Sequence, residues 1–463
     1  MAGQQTPTDL QHLIRLFRTA LEALGATPSG PQLETWSVLV HTSMSGGERD
    51  YHGVQHVFDV ADRAGPVETL AALFHDTVYV QPDGYLSRQH ELLFSDVIEK
   101  HAGGFTLKPY VVEQDRSRAL LEAVFDLSPG TWLSPWDGLS EFLSAMLAAR
   151  SLDGVLSDPL LLQVAAAIEA TIPFRPMDAQ GRTPPERLLD RLGVVNDAFG
   201  LGLARSELVR TVHQAVAVTN RDVAGFAFRD TGRFLDYTWQ LLPESVMALR
   251  RKATYTLGEY RLGLGRMAGF LARLAPESVF CQFQGVPGAA EIAELTALAA
   301  TNIRRARRYL EAKLAASSVL YALAVLTGGD APAALFMGDL PTPGRRAMRL
   351  EDFLPDPGPL CGDGDADVFA LLDDGRQNDS GFDIRNSPLA AFLYARMGEA
   401  GVTRLTADGA PPVDAASARQ LLDLLPVELL QDIVHACARI AVTRADALLD
   451  LLATADHGST PAW

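Results

Sequence analysis

The sequence predicts an all-α protein. Apolar residues recur at helical spacing along most of the chain, and prolines and glycines stand where these patterns end. The chain contains no glycine-rich phosphate loop, no Gly-x-Ser-x-Gly nucleophile turn and no internal repeat. At 463 residues it is longer than one hydrophobic core usually organises, so we expect two helical domains.

The N-terminal half carries the clearer helical patterns. From Leu10 to Leu24, apolar residues follow the 3.6-residue period of an amphipathic helix, and Gly25 ends that helix. Prolines and a glycine interrupt the pattern over residues 104–137, which we interpret as an insertion. The further helices predicted in this half cover residues 33–44, 54–64, 67–79, 87–101, 139–150, 159–171, a stretch starting at 184, and 208–226.

Composition limits the possible partners. The formal net charge of −17 repels a phosphate backbone, so we expect no general nucleic-acid binding. The three cysteines, Cys281, Cys361 and Cys437, are far apart, which argues against a disulfide framework and against a thiolate zinc site. Any metal site must therefore use histidine and carboxylate ligands.

We expect a cytoplasmic protein that does not cross a membrane. The N-terminus lacks the basic and apolar regions of a signal peptide. The stretch closest to a membrane span, Leu160–Ile172, is short and contains Glu169. The oligomeric state does not follow from the sequence.

One stretch, from Tyr51 to Tyr79, concentrates the candidate ligands. His52 and His56 are followed, nineteen positions after His56, by the pair His75-Asp76. Leu70–Phe74 precedes that pair and has the composition of a buried helix, so both polar side chains need partners. A divalent cation accepts imidazole and carboxylate together. The i, i+4 spacing of His52 and His56 would let an upstream helix offer either one; a hydrogen-bonded His-Asp pair without metal is the alternative.

This Tyr-His…His…Phe-His-Asp-x-Val-Tyr pattern resembles the HD-domain superfamily of metal-dependent phosphohydrolases, and within it the predicted HD hydrolases. Trp36 also fits the pattern, and the resemblance covers roughly residues 30 to 95. It implies an HD-like helical domain, which we place at residues 1–235 with the insertion 104–137. It also implies one divalent metal bound by His56, His75, Asp76 and an aspartate on a late helix.

We assign that late aspartate to Asp222. Its surroundings, Asn220–Phe226, are similar to the closing motif of the family. A carboxylate on an apolar helix is costly to bury unless a cation compensates it. Asp190 and Asp197 are the alternatives, although both have the pattern of exposed helix acids.

The resemblance implies a phosphohydrolase that acts on a small phosphoester or nucleotide through a metal-activated water. Manganese, iron, cobalt, nickel and zinc all suit the expected ligands. His52 and His90 are candidate general acids or supporting residues, and Arg88 or Arg221 is expected to meet the phosphate. The alternatives are a di-iron HD-domain oxygenase completed by His90 or His101, unless these are surface histidines, and a non-catalytic metal-binding regulatory protein.

Residues 236–463 are predicted to form a helical C-terminal domain of unknown role with a Pro-, Gly- and Asp-rich loop at 339–388. In this domain Arg304–Arg308 is a basic cluster. We interpret it as a solvated helix face that continues to Glu311 and Lys313, rather than as a binding surface. Asp363, Asp365 and Asp367 are spaced as in a calcium loop, but the glycine such a loop requires is missing.

Overall fold

The computed structural model describes residues 7–46, 49–80, 86–112, 115–252, 254–342, 344, 347–407 and 412–455. Within these ranges the chain is mainly helical and has one small three-stranded sheet, so the predicted all-α class is confirmed. The chain forms two compact units. The first contains Met1–Ala227 and Leu274–Ala299, and the second contains Phe228–Arg273 and Ala300–Trp463.

The first unit is built from ten helices within its described residues. Three of them begin with a capping box, in which Thr8, Ser29 or Thr183 accepts a backbone N–H and a glutamine or glutamate returns the bond. The helices are α1 (Asp9–Ala23), α2 (Gly30–Met44), α3 (Val54–Ala61), α4 (Pro66–Phe74), α5 (Arg88–Leu93), α6 (Arg116–Val124), α7 (Leu139–Ser151), α8 (Asp158–Ala170), α9 (Pro184–Phe199) and α10 (Arg205–Asp222).

Helix α4 is the centre of the first unit. Every residue from Thr69 to Phe74 is buried, and the helix packs against α1, α3, α7, α8 and α10. A helix that is apolar on all sides must be surrounded by other elements, as the run Leu70–Phe74 predicted. The residues that follow α4 therefore begin in the interior of the unit.

A small sheet replaces most of the helix predicted for residues 87–101. Helix α5 ends at Leu93, and the strands β1 (Ile98–His101), β2 (Gly104–Leu107) and β3 (Trp132–Leu133) form an antiparallel sheet in the order β1-β2-β3. His101 pairs with Gly104, so Ala102 and Gly103 form a two-residue turn, and Gly103 has a positive φ of +83°, which glycine adopts without steric cost. The helix prediction was wrong because this turn reverses the chain.

The segment 104–137, predicted to be an insertion, is part of the core of the first unit. It contains β2, α6 and β3, and α6 packs against α7, α8 and α9. Phe105, Leu120 and Leu133 are buried there. Removal of the whole segment would therefore expose the core.

The second unit contains the remaining helices. Trp239, Tyr309 and Tyr394 are among its largest fully buried side chains. Helix α17 is kinked at Gly398, where φ is 66°. The helices are α11 (Thr231–Trp239), α12 (Leu241–Ser245), α13 (Leu257–Arg273), α14 (Ala289–Leu326, grouped with this unit from Ala300), α15 (Ala334–Met337), α16 (Ala366–Asp373), α17 (Pro388–Thr406), α18 (Ala415–Leu422), α19 (Val427–Ile440) and α20 (Ala445–Ala455).

The grouping of residues differs from a single division at residues 235 and 236. The first unit ends at Ala227 and takes back Leu274–Ala299. A reason is visible at Asn220, whose side-chain amide donates to the carbonyl oxygen of Cys281 and accepts the N–H of Cys281, both at 2.8 Å. Phe283 is buried in the first core. A sequence-based division cannot anticipate a segment that returns to an earlier unit.

Two arginines of the basic cluster are used inside the second unit. Arg308 Nη1 lies 2.8 Å from Asp365 Oδ2, and its Nε lies 3.0 Å from a carboxylate oxygen of Glu399. Arg305 forms an ion pair with Asp367. Two of the acids in the calcium-like spacing are therefore partners of these arginines. Lys313, predicted to lie on the solvated face, is buried.

Among the described residues, α14 is long and apolar enough to cross a membrane by length and composition. In the most apolar window of this helix, 72% of the residues are buried inside the structure. Buried core helices of globular proteins also meet this criterion.

Candidate metal centre

Four side chains converge at one point of the first unit: His56, His75, Asp76 and Asp222. One ligand atom from each of them lies within 4.8 Å of all the others. Nε2 of His56 is 2.9 Å from Oδ1 of Asp222, and Nε2 of His75 is 3.2 Å from Oδ2 of Asp76. The two Nε2 atoms are 3.3 Å apart. This arrangement can hold a metal ion, and it contains the four residues that the sequence proposed as ligands.

Three chain segments place these side chains. His56 is on α3, His75 is the C-terminal cap of α4, and Asp222 is the last residue of α10. Since α3 and α10 both pack against α4, the ends of the three helices meet at one place. Asp76 follows His75 directly, where the chain leaves α4 and its carboxylate turns back toward the imidazoles.

The two residues before Asp222 fix the end of α10. Arg221 donates to the carbonyl oxygen of Val60 at 2.8 Å and to Glu68 at 2.6 Å, which joins α10 to α3 and α4. Asn220 makes the two hydrogen bonds to Cys281. The guanidinium of Arg221, proposed from sequence to meet a phosphate, is engaged in these structural contacts.

His52 does not share a helix with His56. Helix α3 begins at Val54, and its N-cap, Gly53, is extended with φ −89° and ψ 174°. The expected i, i+4 pair was therefore wrong, since His52 precedes the helix. Its ring instead lies beside that of Tyr79, tilted by 32° at a centroid distance of 4.6 Å, and is 6.2 Å from the ring of His56. His52 is thus beside the cluster, not in it.

Burial and charge compete at the cluster. Burial alone would lower the pKa of His75, but the carboxylates of Asp76 and Asp222 outweigh it and raise that pKa well above its ordinary value. Burial alone would raise the pKa of Asp76, but His75 and His52 hold it well below its usual range. Hydrogen bonds from His56 and His75 likewise lower the pKa of Asp222 against the effect of burial. Both carboxylates are ionised at neutral pH.

Glu141 is a neighbour of the cluster that the sequence did not indicate. Burial raises its pKa to about 7, and the charges of Asp76 and Asp222 add to this, while its own backbone N–H and Arg175 act in the opposite direction. The N-terminal part of α7 brings it there, because Ser144 and Ser140 of that helix accept the N–H groups of Val78 and Val80 at 3.0 Å. No local signal marks this docking, which depends on tertiary structure.

Arg49 contacts the backbone at Asp76, and His90 is close enough to be affected by the charge of Arg49. Arg49 donates to the carbonyl oxygens of Asp76 and Thr77 and lies over the ring of Tyr79, 5.7 Å from its centroid. His90 is buried, and burial together with the charge of Arg49 lowers its pKa to about 4. A histidine with that pKa is neutral at pH 7. Its ring can therefore accept a proton, but it does not carry the extra proton that a general acid donates.

The other candidates lie elsewhere. Among the described residues, the cluster of ligand atoms includes neither His90 nor His101, and the ring of His101 lies on Trp132 at 5.8 Å. Arg88 is exposed at the start of α5. Asp190 and Asp197 are both exposed on α9, as expected for helix acids.

The donor set suits a divalent transition metal: two imidazole nitrogens and two ionised carboxylates in a largely buried site. Comparisons with protein-family models, with curated proteins and with solved structures found no match to this chain.

Proposed function

We propose that this protein is a phosphohydrolase that uses one divalent cation, held by His56, His75, Asp76 and Asp222, to hydrolyse a small phosphoester or nucleotide. The observation that carries the proposal is the position of Asp222. The resemblance of residues 51–79 to HD-domain proteins requires an aspartate from a late helix, and Asp222 lies 2.9 Å from His56 across 166 residues of chain. Asp190 and Asp197, the alternatives, are exposed on another helix.

When bound, a divalent cation supplies a Lewis acid that lowers the pKa of a coordinated water and neutralises charge on a phosphate group. The chain contributes the geometry. His75 donates from Nδ1 to the carbonyl oxygen of Ala72 at 2.8 Å, so its Nε2 faces the carboxylates. Arg49 holds the backbone of Asp76 and Thr77 in place.

Proton transfer needs a group that titrates near neutral pH. Glu141, with a pKa of about 7, meets that requirement better than His90, with a pKa of about 4. His52, partly buried beside His56 and Tyr79, is the histidine placed to contact a substrate next to the cluster. We therefore assign proton transfer to Glu141 or His52.

The test combines metal analysis with a substrate panel. Protein purified without added metal is analysed for metal content, stripped with a chelator and reloaded separately with Mn²⁺, Fe²⁺, Co²⁺, Ni²⁺ or Zn²⁺. Each form is then assayed on aryl phosphomonoesters, aryl phosphodiesters and nucleoside mono-, di- and triphosphates. We expect phosphate release that depends on the metal and is lost in His75→Ala. Metal retention without turnover on any member would instead identify a metal-binding regulatory protein.

A further inference from the structure

The second unit contains a small, partly open cavity that the proposed phosphohydrolase site does not use. Residues from five segments of that unit line it. Most of the lining is apolar, including Ala316, Leu320 and Leu389. Among the polar groups that line it are Lys313, Asp383 and Tyr260. A cavity with apolar walls and a few convergent polar groups is the usual form of a small-molecule site.

Lys313 is the central charged group of the cavity, and only 4% of its surface is exposed. Its Nζ atom donates to Oδ2 of Asp383 at 2.7 Å and to Oγ of Ser387 at 2.8 Å. An ammonium group has three N–H donors, so these two bonds leave one donor. The ammonium also lies 5.0 Å from the ring centroid of Trp239, which stabilises its positive charge.

A second buried cation shares the same carboxylate. Nη2 of Arg376 is 3.7 Å from Oδ2 of Asp383, and the guanidinium stacks over Trp239 at 4.3 Å. Oδ1 of Asp236 is also 3.7 Å from Nε of Arg376, and the Oδ2 atom of Asp236 accepts two hydrogen bonds from Asn378. The carboxylate of Asp383 is therefore shared by two buried cations, so both keep N–H donors that a further oxygen acceptor could meet.

Three buried side chains here carry hydrogen-bond donors that find no acceptor among the described residues. They are the hydroxyl of Tyr260, the indole N–H of Trp239, and Nε and Nη1 of Arg376. Burial and the nearby Asp383 raise the pKa of Tyr260 well above its ordinary value, so its hydroxyl keeps the proton. Of the three, Tyr260 lines the cavity, and because a buried donor without an acceptor costs free energy, a ligand there that brings an oxygen acceptor would satisfy its hydroxyl.

We propose that this cavity of the second unit binds a small, largely apolar molecule that carries a carboxylate group. The carboxylate lies against Lys313 and the hydroxyl of Tyr260, and the apolar part of the molecule packs on Ala316, Leu320 and Leu389. The proposal is independent of the metal centre, because each residue that carries it belongs to the second unit.

The experiment compares matched pairs of compounds with the full-length protein. Butyrate, hexanoate and benzoate are titrated beside butyramide, hexanamide and benzamide, and binding is followed by calorimetry and ligand-observed NMR. Because a hydrogen bond to a charged group is roughly twice as strong as a neutral one, we expect at least one carboxylate to bind about tenfold more tightly than its amide. Equal affinities within every pair, or no binding by any carboxylate, would overturn the proposal.

A tyrosine pair tests the position. Tyr260→Phe removes a hydroxyl that has no described partner, so the fold is retained, and we expect carboxylate binding about fivefold weaker. Tyr394→Phe is the control, because Tyr394 is equally buried in the same unit but its hydroxyl accepts the N–H of Asp365 at 2.9 Å. Unchanged affinity in Tyr260→Phe, or an equal loss in both variants, would remove Tyr260 from the site and contradict the proposal.

Discussion

Nδ1 of His75 lies 2.8 Å from the carbonyl oxygen of Ala72, one turn earlier in the chain. A carbonyl oxygen only accepts hydrogen bonds, so Nδ1 must carry a proton. The nitrogen available to a metal is therefore Nε2, which is also the atom nearest to Asp76 and Asp222. The backbone at the end of α4 thus selects which nitrogen of His75 faces the centre.

Removal of a ligand from the end of α4 should abolish metal retention. We expect His75→Ala and Asp76→Ala to bind metal at least about 100-fold more weakly, because each variant lacks one of the four metal ligands. The far-UV circular dichroism should remain helical. The measurement is metal content after dialysis, with His101→Ala as control, since His101 lies at the sheet. Parent-like metal content in either ligand variant would rule out this centre.

Asp222 gives the sharpest comparison. Asp222→Asn keeps the size of the side chain and removes its charge, so we expect a native fold with about 100-fold weaker metal affinity. Asp190→Asn and Asp197→Asn change the same chemical group on the exposed face of α9 and should bind metal like the parent. If one of these two loses metal while Asp222→Asn does not, the fourth ligand is on α9.

Metal binding should release protons. In the metal-free protein His75 is protonated, since its pKa is raised by Asp76 and Asp222, and Glu141 with a pKa of about 7 is about half protonated at pH 7. Binding of a cation displaces the protons of both His75 and Glu141. Calorimetry in buffers of different ionisation enthalpy should therefore give between one and two protons released per metal at pH 7. Affinity should fall as the pH is lowered. Glu141→Gln should lower the count by about half a proton per metal while binding persists; binding without proton release would contradict this assignment.

His90 should remain neutral down to acidic pH. Its pKa in the folded protein is about 4, below the ordinary value of 6.5, because burial and Arg49 disfavour the charged ring. The folded state therefore binds this proton less readily than the unfolded state. Its contribution to stability is complete above about pH 6.5 and is lost as the pH falls toward 4. Histidine-ring NMR should show no titration of His90 between pH 8 and pH 5, and Arg49→Gln should raise its pKa. Titration of His90 near pH 6.5 would contradict the burial.

Asn220 should couple the returning segment to the metal centre. Asn220→Ala removes both hydrogen bonds to Cys281, so we expect a loss of about 1–3 kcal/mol in the free energy of unfolding and weaker metal binding through Asp222. Cys281→Ala is the matched control, because those bonds reach the backbone of Cys281 and survive the change of side chain. Urea denaturation and metal titration on both variants test this; equal effects would show that the amide is not the link.

Periodicity predicted the helices well where burial is one-sided. Helix α1 was expected at residues 10–24 and spans Asp9–Ala23, because Leu13, Phe17 and Leu21 form one buried face and Thr8 provides the cap. The sheet was missed because its strands have only two to four residues, too short for an alternating pattern. The start of α3 was predicted correctly at residue 54, whereas its end, expected at residue 64, lies at Ala61.

The ligand residues could be proposed from sequence, but their surroundings could not. His56, His75 and Asp76 lie in one motif, and Asp222 followed from the resemblance and from the cost of burying a carboxylate. Glu141 reaches the centre only because serines of α7 bind the backbone after Asp76. Lys313 follows a basic cluster, and only packing shows that it points inward.

The contact between His56 and Asp222 closes a loop of 166 residues. The entropy lost on closing a flexible loop grows with the logarithm of its length, and a doubling adds only about 0.6 kcal/mol. The hairpin of β1 and β2, with α6 after it, lies inside this loop. Segments of that size can be gained or lost between α4 and α10 with almost no change in the closure entropy. Length variation in this part of the chain is therefore limited by the packing of α6, not by the distance that the chain must span.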